Sequence, residues 1–497
     1  MLLKKATMIS KEESIRLIFG LKVRHLRKSK SLSQSEVAET TGLSVSYLNE
    51  IEKGKKYPKI DKITAIAKAL GVSYEWLVSL QVSQRLAPIV ELLKMDLLTS
   101  LPLDIFGIEL SDLIEKLSDS PTQLSAFIST LIEIARNHDM TVERFYFSVL
   151  RSYQEMHENY FEEIETEVEQ FITQNEIKAV SQLTTKELQQ ILEEKYQYTI
   201  DEDTLQRFEH LQHLRSVVIP EKKKLYINPL LNAQQRRFTF AKEIGYLFMH
   251  LKNRTYTTSW VKIESFEQIL NNFKASYFAG ALLIPKDEMI KDCTSLFEQP
   301  NWNSHFFLSL TQKYQASPEM FLHRLTNIAP RFFGLSHLFF LRFRNQPHSN
   351  EYSLDKELHL AGLYNPHGSV LNQHYCRRWV SIHILQDLEQ TPQEMLCKVQ
   401  RSSYFDSDNE YFCISLASAA FPTPNKNSSV TIGFLMNEEF KQKAKFHHTA
   451  PLREVGVACE RCSHLHCQER AAPPYLLQDT EKTAHILQNL EQLKKLG

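Results

Sequence analysis

The sequence contains little glycine, and the phosphate-binding motifs that depend on glycine are missing. Only 13 of the 497 residues are glycine, whereas an average protein has about 7%. Neither G-x-x-x-x-G-K nor G-x-G-x-x-G occurs, so no phosphate-binding loop of these kinds is expected. Scarce glycine also disfavours a turn-rich all-β fold and favours helices.

Long apolar runs are also missing. A membrane helix needs about 20 consecutive apolar residues, and one of the longest apolar runs, residues 277–285, is about half that long. The opening MLLKKATM lacks the continuous apolar segment of a secretory signal. We therefore expect a cytoplasmic protein without a membrane span, in which cysteine thiols stay reduced.

The length and the charge distribution indicate several domains with different partners. A chain of 497 residues is long enough for about three domains of about 150 residues each. Of these residues, 42% are hydrophobic, which is enough to fill several cores. Residues 1–80 carry 15 Lys/Arg and 8 Asp/Glu, or +7, so the remaining 417 residues carry −1 − 7 = −8. A basic module on an acidic body predicts nucleic-acid binding at the N-terminal end.

Residues 33–52 have the spacing of two helices joined by a tight turn. Ser33 and Glu36 form the pattern of a capping box. Gly42 stands where the turn needs a left-handed backbone. Leu48 and Ile51 then have the helical spacing that buries one face of the second helix. The pattern predicts a helix-turn-helix.

Residues 15–78 resemble the Cro/repressor-type (XRE) helix-turn-helix family, and the segments 49–54 (NEIEKG) and 70–72 (LGV) are typical of it. The resemblance implies a five-helix domain whose recognition helix enters the major groove. The side chains implied to face bases are Ser44, Ser46, Tyr47 and Asn49. Those implied to contact phosphates are Gln34, Lys53, Lys55 and Lys56. One such domain reads a half-site, so we expect a homodimer or higher homo-oligomer on a double-stranded DNA operator. The alternative is a five-helix module used for protein contacts.

Residues 217–220 and 225–227 read as two short strands, and helical patterns follow at 234–250 and 273–285. The two helices resemble the zinc-peptidase-like domain of the ImmA/IrrE family, whose H-E-x-x-H motif binds zinc through two histidines and activates water through the glutamate. Here Lys242 and Tyr246 occupy the ligand positions, and only Glu243 of the motif remains. We predict a degenerate, non-enzymatic domain. The alternative is a metalloprotease-type antirepressor that cleaves a partner repressor.

A cluster of cysteines follows a third group of predicted strands, at residues 338–343, 412–416 and 430–435. Cys459, Cys462 and Cys467 lie within nine residues, a spacing typical of a metal or cluster site. Two readings stay open at this point. One is zinc with three cysteines and either His464 or His466. The other is an iron–sulfur cluster with a distant fourth cysteine.

Residues 453–474 resemble the terminal signature of the short-chain fatty acyl regulator family, which joins an XRE domain, an ImmA/IrrE-like domain and this cysteine-bearing domain in that order. The resemblance implies a transcriptional regulator of propionate and acetate metabolism that senses a short-chain acyl-CoA, and some family members carry a 4Fe-4S cluster. The family's Cys-x-x-Trp segment matches residues 376–379, which makes Cys376 the implied fourth ligand. Zn remains the alternative to the cluster. Polyanionic coenzyme A needs cations, and the candidates are Arg377, Arg378 and Arg453.

The predicted fold class is mainly α with α+β parts. The predicted domains, in chain order, are an XRE helix-turn-helix domain at 1–80, a helical spacer and dimerisation region at 81–200, a degenerate zincin-like ImmA/IrrE domain at 201–335, and a GAF-like α+β sensor domain with the cysteine cluster at 336–497.

Overall fold

The computed structural model describes residues 11–79, 142–177, 180–257, 263–360, 373–405, 407–420 and 425–495. The chain divides into two compact units, Met1–Tyr153 with Ile263–Ile269 and Gln154–Lys262 with Leu270–Gly497. Within the described ranges, no helix is long and apolar enough to span a membrane. The spacer predicted at 81–200 is described only from residue 142 onward, and the part before it lies outside the described residues.

Five helices form the N-terminal domain: α1 (Lys11–Ser29), α2 (Gln34–Thr41), α3 (Val45–Glu52), α4 (Ile60–Leu70) and α5 (Tyr74–Val78). The capping box is present, since Ser33 and Glu36 each accept the other's backbone N–H through their side chains. Gly42 ends α2 with a left-handed φ of 67°. Leu48 and Ile51 are fully buried in the domain core. The helix-turn-helix fold is confirmed.

The second unit begins with helices and a small sheet. Its first elements are the end of α6 (Val142–Met156), α7 (Glu162–Gln174), α8 (Thr185–Gln190), β1 (Thr199–Asp201), β2 (Ser216–Ile219) and β3 (Lys224–Ile227). The strands have the order β1-β3-β2, with β1 parallel and β2 antiparallel to β3. Five further helices follow: α9 (Ala233–Phe248), α10 (Phe266–Leu283), α11 (Lys286–Phe297), α12 (Ser304–Lys313) and α13 (Pro318–Phe333).

A buried ion pair joins α7 to α13. Arg324 donates to both carboxylate oxygens of Glu165, at 2.5 and 3.0 Å, and both side chains are almost completely buried. The Tyr277 hydroxyl of α10 donates to the same carboxylate at 2.8 Å. Breaking such a pair by removing one partner costs about 3–5 kcal/mol. Helix α7 therefore packs as part of the second unit, although it lies in the range predicted as a spacer.

A six-stranded sheet forms the C-terminal part of the second unit. Its strands are β4 (Leu338–Asn345), β5 (Tyr352–His359), β6 (Met395–Tyr404), β7 (Glu410–Ala419), β8 (Asn427–Leu435) and β9 (Leu452–Val455). They lie in the order β5-β4-β8-β7-β6-β9, antiparallel except for the parallel pair of β6 and β9. The predicted α+β architecture is confirmed; a closer GAF-like relationship stays a prediction.

Helices α14 (Val380–Glu389), α15 (Glu438–Lys443) and α16 (Tyr475–Lys495) complete this part. Helix α14 packs on the sheet, where its apolar side chains share one core with alternate residues of β4 and β7. Within the sheet, a Cβ on Gly433 would approach the Phe339 ring to 2.2 Å, so this β8 position requires glycine. After β9 the chain turns through the short helical segment Cys459–Arg461.

Candidate functional site

The recognition helix α3 presents a largely polar surface. Ser46 is exposed. The Ser44 hydroxyl accepts the Tyr47 N–H at 3.1 Å and thereby caps the helix, while the Tyr47 ring packs against the domain core. Val45 is 44% exposed at the start of the helix, and sequence reasoning missed it, although its place between Ser44 and Ser46 was a signal. An aliphatic side chain there can contact a thymine methyl group.

Gln34 connects the two helices of the motif. Its Nε2 donates to Glu52 Oε2 at 2.9 Å and lies 3.4 Å from Asn49 Oδ1. Arg27 donates to both oxygens of the same buried Glu52, at 2.6 and 2.8 Å. The predicted phosphate contact at Gln34 and the predicted base contact at Asn49 therefore belong to one network that sets the position of α3.

The three predicted phosphate-contacting lysines follow α3. Lys53 is partly buried, and Lys55 and Lys56 are exposed. Between them Gly54 has a φ of 68°, and a Cβ there would meet Leu17 at 2.7 Å. The turn therefore holds positive charge at the C-terminal end of the recognition helix, where it suits a phosphate backbone.

Helices α9 and α10 bring the altered ImmA/IrrE ligand positions together. Lys242 Nζ donates to Asn272 Oδ1 at 2.6 Å, and the Tyr246 hydroxyl lies 3.4 Å from the same oxygen. Burial, with a smaller contribution from nearby Arg254, lowers the pKa of Lys242 to about 7. The lysine thus links the two helices at a position where the family resemblance implies a metal ligand.

Glu243, the residue that remains of the motif, is held by Arg254. The guanidinium donates to both carboxylate oxygens, at 2.8 and 2.7 Å, and lies 3.8 Å from the centre of the Tyr246 ring. Because a bidentate arginine occupies both oxygens, this carboxylate is poorly suited to take a proton from water. Sequence reasoning missed Arg254, which lies in the loop after α9 and outside the motif.

The four predicted cysteine ligands all line one narrow recess: Cys376, Cys459, Cys462 and Cys467. The first three are buried, and Cys467 is half-buried. The other three cysteines, Cys293, Cys397 and Cys413, do not line it. The structure therefore brings the distant cysteine of the predicted set to the same place as the clustered three.

A short antiparallel pairing joins the Cys376 segment to the cysteine loop. The Cys459 N–H donates to the His374 carbonyl at 2.9 Å, and the Cys376 N–H donates to the Val457 carbonyl at 3.2 Å. The indole N–H of Trp379 donates to the Gly456 carbonyl at 2.9 Å. The tryptophan of the Cys-x-x-Trp segment therefore fixes this segment against the chain just before the loop.

Two charged residues that sequence reasoning did not assign to the site also fix the loop. Arg470 donates to the carbonyls of Cys459, Cys462 and His464, at 2.5, 3.1 and 2.7 Å. Glu460 is buried, and its carboxylate accepts the backbone N–H of His374. The available signal was the position of Glu460 between two closely spaced cysteines.

The recess is suited to thiolate sulfur bound to a cation. The Gly456 N–H donates to Cys376 Sγ at 3.4 Å, and the Ala471 N–H donates to Cys459 Sγ at 3.3 Å. Burial raises the pKa of Cys376 to about 11, and metal binding displaces such a thiol proton. Four thiolates exceed the charge of one divalent metal ion, and the described recess wall carries three arginines, Arg377, Arg378 and Arg470, against one acidic residue, Glu469, so its charge offsets the difference.

The donors are gathered, but they are not yet within ligation distance. Within the described ranges, no three His, Cys, Asp or Glu side chains are placed so that they could hold a metal ion. Ligation therefore requires the sulfur atoms to move closer. An all-sulfur donor set fits zinc or an iron–sulfur cluster. Neither His464 nor His466 lines the recess, and His464 stacks on Phe405 with ring centres 5.1 Å apart.

The three arginines predicted to bind coenzyme A have different surroundings. Arg377 and Arg378 line the cysteine recess, and Arg453 does not. The Arg377 guanidinium lies 4.5 Å from the Tyr352 ring centre and donates to a backbone carbonyl at 2.7 Å. Arg453 forms an ion pair with Glu469. Of the three, Arg378 has a buried Nε that donates to no described atom.

Comparisons with known proteins identify two of the domains. A helix-turn-helix family model matches residues 23–77, and an IrrE N-terminal-like domain model matches residues 202–326. The control protein C.BamHI of Bacillus amyloliquefaciens is 47% identical over 60 residues, which are 12% of this chain and 74% of that protein. The uncharacterized HTH-type transcriptional regulator y4dJ of Sinorhizobium fredii is 37% identical over 65 residues, 13% of this chain and 84% of its own. This chain belongs to the XRE-type helix-turn-helix family.

The XRE-type regulator is thus a DNA-binding transcriptional regulator that also carries an ImmA/IrrE-like domain. A solved Mycobacterium tuberculosis transcriptional regulator is similar over 66% of this chain and 93% of its own, with 18% identity and a TM-score of 0.45. Likeness at that level supports no assignment of function. The roles of the cysteines and arginines stay predictions.

Proposed function

We propose that this XRE-type regulator controls genes of short-chain fatty acid metabolism, propionate and acetate above all. It acts in the cytoplasm as a homodimer or higher homo-oligomer on its operator, has no enzymatic activity, and responds to a short-chain acyl-CoA. Its C-terminal domain holds a 4Fe-4S cluster on Cys376, Cys459, Cys462 and Cys467. The observation that carries this proposal is the shared recess of these four cysteines.

The chemistry of the recess supports an iron–sulfur cluster over zinc with a histidine ligand. The recess offers four thiols, N–H groups that donate to sulfur, and arginine side chains, and it offers no imidazole. The one acidic residue among its described lining residues, Glu469, is paired with Arg453. Hydrogen bonds to sulfur and nearby charge are the means by which proteins tune iron–sulfur centres. When bound, the cluster supplies a redox-active centre that ties the Cys376 segment to the cysteine loop. Zinc on four cysteines is the alternative.

The acyl-CoA part of the proposal rests on the family resemblance and on Arg378. Arg377 lies on the Tyr352 ring and donates to a backbone carbonyl, and Arg453 pairs with Glu469. Arg378 lies 6.0 Å from the Phe405 ring centre, and its buried Nε donates to no described atom. We therefore expect Arg378→Ala to weaken propionyl-CoA binding more than Arg453→Ala does. Calorimetric titration of both variants checks this order, and equal affinities would remove Arg378 from the ligand site.

The cluster is tested by the absorbance spectrum of anaerobically purified protein. A brown protein with broad visible absorption, and iron and sulfide in equal amounts, supports the cluster. A colourless protein with stoichiometric zinc would exclude the cluster and support zinc on four cysteines. Cys376→Ser should reduce the iron content, whereas Cys397→Ala, which changes a cysteine outside the recess, should not. Full cluster occupancy in Cys376→Ser would exclude the fourth ligand.

Operator binding is tested by mapping chromatin binding sites with and without propionate or acetate. Sites should lie beside short-chain fatty acid genes, and their occupancy should depend on the acid. On an operator found in this way, Ser46→Ala should alter base preference, while Lys56→Ala should weaken binding to all sequences and reduce its salt dependence. Identical occupancy under all conditions would contradict the proposed effector.

The second candidate is a metalloprotease-type antirepressor. The match to the IrrE N-terminal-like domain favours it, and Lys242, Tyr246 and the contact of Glu243 with Arg254 weigh against it. Incubation of the zinc-supplemented protein with partner repressors should leave them intact. Cleavage that a chelator abolishes would support the protease.

A further inference from the structure

We propose that Glu460 is a positioning residue that fixes Cys376 beside the cysteine loop before any metal or cluster binds. The proposal rests on the four-cysteine site of the proposed function and adds the residue that gathers its ligands. Glu460 lies between Cys459 and Cys462, and it holds the chain segment that carries the distant ligand.

The burial of Glu460 is unusual for a glutamate. Its side chain is 1% exposed, and a carboxylate is costly to bury unless it is well hydrogen-bonded. Within the described part of the chain, its hydrogen bonds all go to His374. The His374 backbone N–H donates to both carboxylate oxygens, at 3.1 and 3.0 Å, and His374 Nδ1 lies 2.7 Å from Oε1. All the described hydrogen bonds of this buried carboxylate therefore serve the contact with His374.

The contact extends the pairing between the two segments. The His374 carbonyl accepts the Cys459 N–H, and an isolated bridge pairs Tyr375 with Ala458. His374 is therefore bound through its N–H, its carbonyl and its ring to residues of the cysteine loop. Cys376 follows two residues later, with its sulfur in the recess. Glu460 thus acts together with the backbone pairing and the Trp379 indole in positioning Cys376.

Fixing Cys376 in advance should lower the entropic cost of bringing the four ligands together. Three of the cysteines lie within nine residues, while the fourth is separated from them by a long stretch of chain. Closing a long loop at the moment of metal binding carries an entropic cost. The contact between Glu460 and His374, called the clamp from here on, forms on folding. It therefore moves this cost out of the binding step. Loss of the clamp should therefore affect the metal site in the same way as loss of the Cys376 ligand.

Cobalt titration of the metal-free protein measures the effect, because Co²⁺–thiolate absorption reports how many sulfur atoms bind. Glu460→Ala should lower Co²⁺ affinity about 10–100-fold, the usual effect of removing a group that supports a ligand, and give the spectrum of Cys376→Ser. The double variant Glu460→Ala with Cys376→Ser should bind no more weakly than Cys376→Ser. Glu460→Gln, which keeps one acceptor oxygen, should be intermediate. Glu454→Gln, at an exposed position nearby, should match the unaltered protein.

A metal-free measurement separates this proposal from the proposed function. The amide hydrogens of Cys376 and Cys459, which form the pairing between the two segments, should exchange slowly in the metal-free protein and in Glu454→Gln, and at least about tenfold faster in Glu460→Ala. If these amides are protected in the unaltered protein but it binds no Co²⁺ through sulfur, the clamp holds and the metal site of the proposed function fails. Unchanged exchange in Glu460→Ala overturns the clamp, as do additive losses of affinity in the double variant. Circular dichroism and Glu460→Gln control for unfolding.

Discussion

Two places in the second unit resemble metal sites in different respects. One keeps the helix arrangement of such a site without its ligand side chains, and the other has the donor side chains. In the IrrE-like domain, helices α9 and α10 still bring the ligand positions together, but the side chains there are Lys242 and Tyr246. In the C-terminal domain, four sulfur donors line one recess although the segments that carry them are far apart in sequence. A fold and the chemistry of its site are therefore separable properties.

The electrostatics of the two places explain the difference. At the first, polar groups satisfy one another: Glu243 pairs with Arg254, and Lys242 with Asn272. At the second, Glu460 and Arg470 bind backbone groups and leave the sulfur atoms facing the recess. We propose that the first arrangement stabilises the domain without a metal and that the second gathers donors for one.

The largest expected difference between the two places is in metal content. The double variant Cys459→Ser with Cys462→Ser should lose all stoichiometric metal, since two donors of the recess are removed. The variant Lys242→Ala with Glu243→Gln should retain it in full. Elemental analysis of anaerobically purified proteins checks both. Full metal content in the cysteine variant, or loss of metal in the Lys242 and Glu243 variant, would mean that the metal binds at the first place and not at the recess.

The next largest effect is on stability at the first place. Arg254→Ala leaves the buried Glu243 carboxylate without its partner, so the free energy of unfolding should fall by about 3–5 kcal/mol. The control is Arg236→Ala, whose ion pair with Glu202 is more exposed and should contribute about 1 kcal/mol or less. Urea denaturation measures both. Equal losses would mean that the Glu243–Arg254 pair contributes no more than a surface pair.

Local patterns in the sequence predicted local structure. Capping at Ser33, the left-handed Gly42 and burial at Leu48 follow from spacing alone, and all three are present. The contacts of Arg254 and Glu460 could not be predicted in this way. Arg254 reaches Glu243 from a loop, and Glu460 reaches a residue 86 positions away, so both depend on tertiary packing that no short-range pattern records.

The pH dependence of stability tests the state of Lys242. Its pKa falls from the ordinary 10.5 to about 7 in the folded protein, so between these values the unfolded chain binds a proton that the folded chain does not. Stability relative to Lys242→Met should therefore rise as pH increases from 7 towards 10.5, by at most about 1.4 kcal/mol per pH unit. Urea midpoints between pH 7 and 9.5 measure it. A constant difference across this range would show an ordinary lysine.

The smallest expected effect is that of restoring the lost motif. Lys242→His with Tyr246→His recreates His-Glu-x-x-His, but Glu243 remains bound by Arg254. We expect weak zinc binding and no peptidase activity, measured by zinc titration and casein hydrolysis. Stoichiometric zinc with hydrolysis would mean that the two histidines alone were missing.

The assignment of metal chemistry to the cysteine recess is tested most directly by X-ray absorption at the edge of the metal that purifies with the full chain. We predict a first coordination shell made only of sulfur, and for iron a short iron–iron distance in addition. A shell of nitrogen and oxygen ligands, or a metal bound equally well after Cys459 and Cys462 are changed to serine, would contradict that assignment.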